Sequence, residues 1–310
     1  MAMKDFINVS GLSKQQVTLL LKRAIADKVE FRAGRLVRSL SNKTLAMIFE
    51  KPSLRTRVSF EGAMTQLGGH GIYLSQADIG LGSRESVEDI ARVLGRMCNG
   101  IMARTFSHQL VEKLGQYSPA PVINALTDYS HPCQAMADLM TAMEHFGNLA
   151  GRTLAFVGDG NNVARSLATL TAKLDMSFVL ACPKGYELED SFVRQLQAEE
   201  PGARYSVTHN PNEGVARADI VYTDTWTSMG QEAEKDQRKS RFAGFQVNGE
   251  LLSHAPSTAV VMHCLPAYRG NEITDEIMER YGEIIFEEAE NRLHFQRSLL
   301  NILMAEGGIK

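Results

Sequence analysis

Short uninterrupted apolar runs alternate along this chain with longer stretches whose apolar residues recur every three or four positions. TLAMIF (44–49), GIYL (71–74), IMAR (101–104) and PVINAL (121–126) have the length and character of buried strands. TLAFVG (153–158), SFVLAC (177–182), DIVYT (219–223) and TAVVMH (258–263) continue the series. Strands that are apolar on both faces, separated by helical stretches, predict parallel βαβ units. Ser13 with Gln16 three residues on forms a capping box for a first helix carrying Val17, Leu20, Leu21 and Ala24. The segment 54–67 predicts a helix with Leu54, Val58, Ala63, Met64 and Leu67 as its apolar positions, stopped by Gly68-Gly69. ESVEDIARVLGRM (85–97) is amphipathic through Val87, Ile90, Ala91 and Leu94, and ADLMTAMEHF continues a helix opened by HPCQ (131–134). AENR (289–292) puts Arg292 at the start of the last helix. The alternation fills both halves, so two α/β lobes joined near 135–150 are expected, with no internal repeat.

Composition narrows the class. The 310 residues are 44% hydrophobic and 22% charged, enough for two domains with cores of their own. A net charge of −3 provides no general basic field, so nucleic acid is not expected as a partner and any anion site must be built locally. Cys98, Cys133, Cys182 and Cys264 form no C-x-x-C pair, which fits a reducing cytosol and a cytoplasmic protein. The start of the chain lacks an apolar signal core and no stretch is long enough to span a bilayer, so no membrane partner is expected.

The chemistry-bearing residues fall just after the predicted strands, where open α/β sheets bind ligands. FEKPSLRTRVSFEGA (49–63) places Lys51, Arg55 and Arg57 around a helix start with Ser53 as its N-cap. The helix dipole disfavours cations there, and a bound phosphate removes the conflict, so an anion site is favoured over a solvated basic turn. VGDGNNV (157–163) has Gly158 and Gly160 but Val163 in place of a third glycine, and the next strand ends in Cys182-Pro183 without a ribose-binding acid. A glycine turn presenting the amides Asn161 and Asn162 therefore fits better than a dinucleotide site. His131 alone reads as structural, DTWTSMG (224–230) as a polar loop, and Cys264 in HCLP (263–266) has no evident base near it in sequence.

As an ordered set, SLRTR, HPCQ, GDGNN, DTWTSMG, HCLP and AENR resemble the ornithine carbamoyltransferases of the aspartate/ornithine carbamoyltransferase superfamily, over roughly residues 5–306. The resemblance implies an α/β fold of two lobes, each a mainly parallel sheet flanked by helices, with the C-terminal helix returning to the first lobe. Residues 1–147 with 291–310 would bind carbamoyl phosphate and residues 148–290 ornithine. It assigns carbamoyl phosphate to Ser53, Leu54, Arg55, Thr56, Arg104, His131, Gln134, Cys264, Leu265 and Arg292, with Arg55, Arg104, His131 and Cys264 catalytic. Ornithine falls to Asn162, Asp224, Ser228 and Met229, and Arg57 is left to orient its loop. The implied reaction gives L-citrulline and phosphate from carbamoyl phosphate and L-ornithine, with no cofactor and no metal, in a homotrimer or an assembly of trimers. The loop DIGLGSRES (78–86) departs from the family pattern, carrying Gly80 where glutamine is common. A carbamoyltransferase for another amine, a dinucleotide-dependent oxidoreductase and a non-catalytic binding subunit are the competing readings.

Overall fold

The computed structural model describes residues 3–80, 84–227 and 232–310. Its chain divides into two units, residues 1–140 with 290–310 and residues 141–289. In the first, β1 (Thr44–Phe49), β2 (His70–Ser75), β3 (Gly100–Arg104) and β4 (Val122–Leu126) form a parallel sheet ordered β2-β1-β3-β4. In the second, β5 (Thr153–Val157), β6 (Ser177–Ala181), β7 (Arg204–Thr208), β8 (Ile220–Thr223) and β9 (Val260–His263) form a parallel sheet ordered β7-β6-β5-β8-β9. The strand order reverses between β1 and β3 in one sheet and between β5 and β8 in the other. At such a reversal the flanking connections leave in opposite directions and open a crevice at the strands' carboxyl ends.

The apolar runs become strands because helices cover both faces of each sheet. Ala46, Ile48, Ile101 and Ala103 pack with Ile90, Ala91, Val111 and Leu114 in the first unit. Val157, Val221 and Val261 pack with Phe242, Ile273 and Ile277 in the second. The capping box at Ser13 opens the helix Lys14–Arg32, as its sequence predicts. RYSVT, with polar residues at alternate positions, forms the edge strand β7 although it contains no apolar run.

Two helix expectations need correction. In Leu54–Gln66 the buried face is Thr56, Ser59, Phe60, Ala63 and Met64, while Leu54 is 75% exposed and Val58 57% exposed. Two hydroxyl residues take inward positions that an apolar count assigns elsewhere. The last helix runs Gly282–Met304, so Arg292 lies in its interior. The acidic run before Arg292 contains good helix formers and no breaker, so nothing ends a helix there.

Phe156 of β5 is fully buried, with its ring centroid 5.3 Å from Tyr222 and 6.3 Å from Phe178. Phe156→Ala is expected to destabilise the second unit by about 3–5 kcal/mol, read by denaturant unfolding. A change below about 1 kcal/mol would mean the three-ring stack contributes little to that core.

Candidate active site

In the first unit the SLRTR stretch begins where β1 ends. Ser53 has extended backbone and its hydroxyl accepts the Thr56 N–H at 3.2 Å, capping the helix. Thr56 is fully buried, and its Oγ1 accepts from Arg292 Nη2 at 2.9 Å and Arg104 Nη1 at 3.5 Å. Arg104 is the last residue of β3 and Arg292 comes from the final helix; both are almost fully buried. Burial, then Arg292, then Arg55, lower the Arg104 pKa to about 9. Arg104 Nε is buried with no hydrogen-bond partner among the described residues. Three guanidinium groups therefore raise a concentrated positive field around one hydroxyl and a helix N-terminus.

The other cations of the opening stretch go elsewhere. Lys51 pairs with Asp128 and lies over the Phe106 ring. Arg57 pairs with Glu61 at 2.9 Å and lies 4.3 Å from the Tyr73 ring centroid. Cations adjacent in sequence thus diverge, while distant Arg104 and Arg292 join Arg55. Leu54 is solvent-exposed, so any part it plays is through its backbone.

His131 precedes the helix Pro132–Phe146 and is buried. Burial first, then Arg292 and Arg104, hold its pKa well below that of a free imidazole, so it is neutral at pH 7. Gln134 is buried one turn on and donates to Asp138 Oδ1 at 2.7 Å. Cys133 faces inward, its thiol pushed up to about 12 by burial.

In the second unit the corresponding reversal carries a negative group. Asp224 follows β8 and accepts from Asn161 Nδ2 at 2.7 Å, the Thr225 N–H at 2.7 Å and Cys264 Sγ at 3.0 Å. Asn161 also caps the helix Asn162–Lys173, its Oδ1 accepting from the Val163 and Ala164 N–H groups. Asn162 stands at that helix start, half-buried. Gly160 is required there, because a Cβ would lie 2.7 Å from the backbone of Glu187 and Leu188.

HCLP leaves β9 over a buried polar support. His263 Nε2 meets Glu272 at 3.1 Å, its Nδ1 accepts the Leu265 N–H at 2.8 Å, and its backbone N–H donates to Glu288 at 3.0 Å. Leu265 has φ 56, in the left-handed region, before a cis bond to Pro266. Asp224, His263 and Cys264 offer ligand atoms within 4.8 Å of one another, but both nitrogens of His263 are already engaged. Ser228 and Met229 lie outside the described residues.

Sequence reasoning missed Arg238, from a charged run that reads as a solvated face. It is buried, with Nη1 bonded to Asp159 at 2.7 Å and the Trp226 carbonyl at 3.2 Å, tying the glycine turn to the DTWTSMG loop. Gly80 has φ 59 and caps the helix Gln76–Ile79, and a Cβ there would lie 2.8 Å from Arg84 Cβ. The left-handed turn explains why glutamine does not fit at this position in this conformation.

These features define a two-unit α/β protein of the class that holds oppositely charged groups at the strand ends of separate sheets. The chain matches the carbamoyl-P binding domain of aspartate/ornithine carbamoyltransferase over residues 4–144 and the Asp/Orn binding domain over residues 150–303. It belongs to the aspartate/ornithine carbamoyltransferase family. It is 50% identical to the ornithine carbamoyltransferase of Methanosarcina acetivorans over 97% of this chain and 99% of that one. The crystal structure of the Thermus thermophilus ornithine carbamoyltransferase aligns with TM-score 0.88 and 41% identity, over 98% of this chain and 100% of that one. The ornithine carbamoyltransferase structure from Pyrococcus furiosus aligns with TM-score 0.94 and 44% identity, covering 100% and 99%.

The depressed His131 pKa fixes the sign of a pH effect. Unfolded histidine takes up a proton near pH 6.5 that the folded site refuses, so stability falls as pH drops below that value. His131→Asn is expected to flatten the fall between pH 7 and 5 by up to about 1.4 kcal/mol per pH unit, measured by chemical unfolding. His294, also depressed by burial, stays in both proteins and cancels in the difference. Parallel profiles for the two proteins would contradict a neutral buried His131.

Proposed function

We propose that this chain transfers the carbamoyl group of carbamoyl phosphate to the δ-amine of L-ornithine, giving L-citrulline and phosphate. The observation that carries the reading is the cluster of Arg55, Arg104 and Arg292 about Thr56. A buried cationic group of this kind is matched by a doubly charged phosphate. Ser53, Leu54, Arg55 and Thr56 would receive the phosphate at the helix start. Arg104 and His131 would donate to the carbonyl oxygen, Gln134 would serve the carbamoyl end with His131, and Cys264, Leu265 and Arg292 would complete the contacts. The same residues then face the charge that develops as the carbonyl becomes tetrahedral.

The amine of ornithine attacks the carbamoyl carbon, the C–N bond forms, and the carbonyl pair moves to oxygen. Collapse breaks the bond to the bridging oxygen and releases phosphate, and the proton lost from nitrogen leaves with phosphate or solvent. Asp224 would hold the α-ammonium of ornithine, with Asn162, Ser228 and Met229 fixing the rest of the amino acid. That division directs the δ-amine and acts through proximity. Cys264, whose thiol donates to Asp224, is a polar contact in this reading and forms no covalent intermediate.

The domain roles follow: residues 1–147 with 291–310 for carbamoyl phosphate and 148–290 for ornithine. A cytoplasmic location is supported by four buried cysteines that form no disulfide among the described residues. A homotrimer or assembly of trimers and a role in arginine synthesis complete the reading; a 45% identical relative is named an anabolic ornithine carbamoyltransferase.

Citrulline formation from the two substrates is the deciding assay. Arg55→Ala is expected to lower turnover by about 100- to 1000-fold with folding retained; near-native turnover rejects the phosphate assignment. Asp224→Asn is expected to raise the KM for ornithine by about 100-fold, the worth of one charge-assisted contact of about 2–3 kcal/mol. Carbamoyl phosphate affinity, read by calorimetry, should stay within about twofold, and equal loss of both ligands would overturn the division of roles.

A further inference from the structure

The second unit holds a thiol, an imidazole and a carboxylate that the transfer reaction does not use. Cys182 directly follows β6 and His209 directly follows β7. The register pairs Ala181 with Thr208, and the Cys182 N–H donates to the Thr208 carbonyl at 3.1 Å, so the two chain segments leave the sheet side by side. The loop after Cys182 turns back at Gly185, whose φ is +88, and returns Glu187 to the same place. One ligand atom from each of Cys182, Glu187 and His209 lies within 4.8 Å of the other two.

The hydrogen bonds around this trio orient it. His209 Nδ1 meets the Cys182 carbonyl at 2.9 Å, and since a carbonyl only accepts, that nitrogen carries the proton. Nε2 then faces the Glu187 carboxylate at 3.4 Å. With the proton on Nδ1, Nε2 turns its lone pair toward that carboxylate, where a cation between the two would be held from both sides. The other Glu187 oxygen is held by the Gly185 N–H at 2.8 Å. Histidine fixed by a carbonyl and a carboxylate fixed by an N–H are the outer partners that metal ligands use. Zinc bonds of about 2.0–2.3 Å in a tetrahedron set ligand atoms roughly 3.3–3.8 Å apart; His209 Nε2 and Glu187 Oε1 stand 3.4 Å apart, and all three ligand atoms lie within 4.8 Å of one another. Cys182 is buried, whereas His209 and Glu187 are partly exposed and leave a route for an ion. The cluster at Asp224, His263 and Cys264 differs, because neither imidazole nitrogen of His263 is open.

We propose that Cys182, Glu187 and His209 form a binding site for a thiophilic divalent cation of the zinc class, with water as fourth ligand. The metal would clamp the loop 182–188 to the end of β7. That loop backs the glycine turn: the Gly160 N–H donates to the Tyr186 carbonyl at 2.8 Å. Metal loading therefore stiffens the support beneath Asn161 and Asn162.

Titration of the whole metal-free protein with cobalt(II), followed by displacement with zinc, tests the site. One equivalent is expected to give a thiolate-to-cobalt charge-transfer band and tetrahedral visible bands, all removed by zinc. Cys182→Ser should abolish the charge-transfer band and Cys264→Ser should leave it intact. Glu187→Gln, on the partly exposed loop, should weaken cobalt binding at least about 10-fold and keeps the test open if the buried Cys182→Ser variant does not fold. Absence of a thiolate band in the native protein, its survival in Cys182→Ser, its loss in Cys264→Ser or unchanged affinity in Glu187→Gln would each overturn the proposal.

Discussion

Arg104 and Arg292 direct their guanidinium groups at one buried hydroxyl, and the first unit must hold that arrangement against both desolvation and mutual repulsion. Removing a cation from water costs several kcal/mol even after relaxation, and a neighbouring like charge adds to it. The depression of the Arg104 pKa to about 9 is the signature of that opposition. Rigid attachment answers it. Arg104 ends a central strand, while the final helix is fixed beside Arg292 by Lys28 on Asn291 at 2.8 Å and by Arg297 on Gln66 at 2.9 Å. Ser298 on Asp27 at 2.7 Å adds a further anchor to the helix Lys14–Arg32. The strain is held by elements that have no freedom to relax it, so an anion entering the cluster recovers energy already stored in the fold. This preorganisation is worth most when charge develops during reaction, because the donors need not turn to meet it.

The second unit solves the opposite electrostatic problem with the same topology. Asp224 is nearly buried, and its carboxylate accepts from three donors that fix its orientation. Both groups stand where the strand order reverses, with the phosphate-type helix start after β1 and the Asn161 cap after β5. The position follows from chain geometry: connections diverge at the reversal and leave helix N-termini and strand ends uncovered. Opposite charges thus stand at equivalent points of the two sheets, which is the basis of the proposed division between an anionic donor and an amine-bearing acceptor.

Much of this was legible in the sequence, and the parts that were not share a cause. Strand runs are local patterns, so TLAMIF and TLAFV appear as strands with little shift at their ends. Ser53 and Asn161 announce caps because capping is also local. The partners of a charge are not local. Lys51 and Arg57 stand beside Arg55 in the chain, yet each finds its own carboxylate, and the residues that join Arg55 come from 49 and 237 positions away. Arg238 gave no signal, since a buried arginine inside a charged run is identical in sequence to a solvated one. Leu54 and Val58 misled because the helix turns hydroxyls inward, where Thr56 serves the arginines. Gly80 was visible as a departure from the family's pattern, but only its left-handed turn gives the reason.

The two histidines beside cysteines make the same point about partners. His263 and His209 each stand near a thiol and a carboxylate, and composition alone would rank them equally as metal ligands. His263 receives an N–H on one nitrogen and meets Glu272 with the other, so it serves as structural cement beneath HCLP. His209 meets a carbonyl with Nδ1, which forces the proton there and turns the lone pair of Nε2 toward Glu187. What separates a structural imidazole from a ligating one is therefore the hydrogen-bonding character of the group behind it. A carbonyl behind the ring frees the far nitrogen for a cation, while a backbone N–H at one nitrogen and an acceptor at the other leave no lone pair to give.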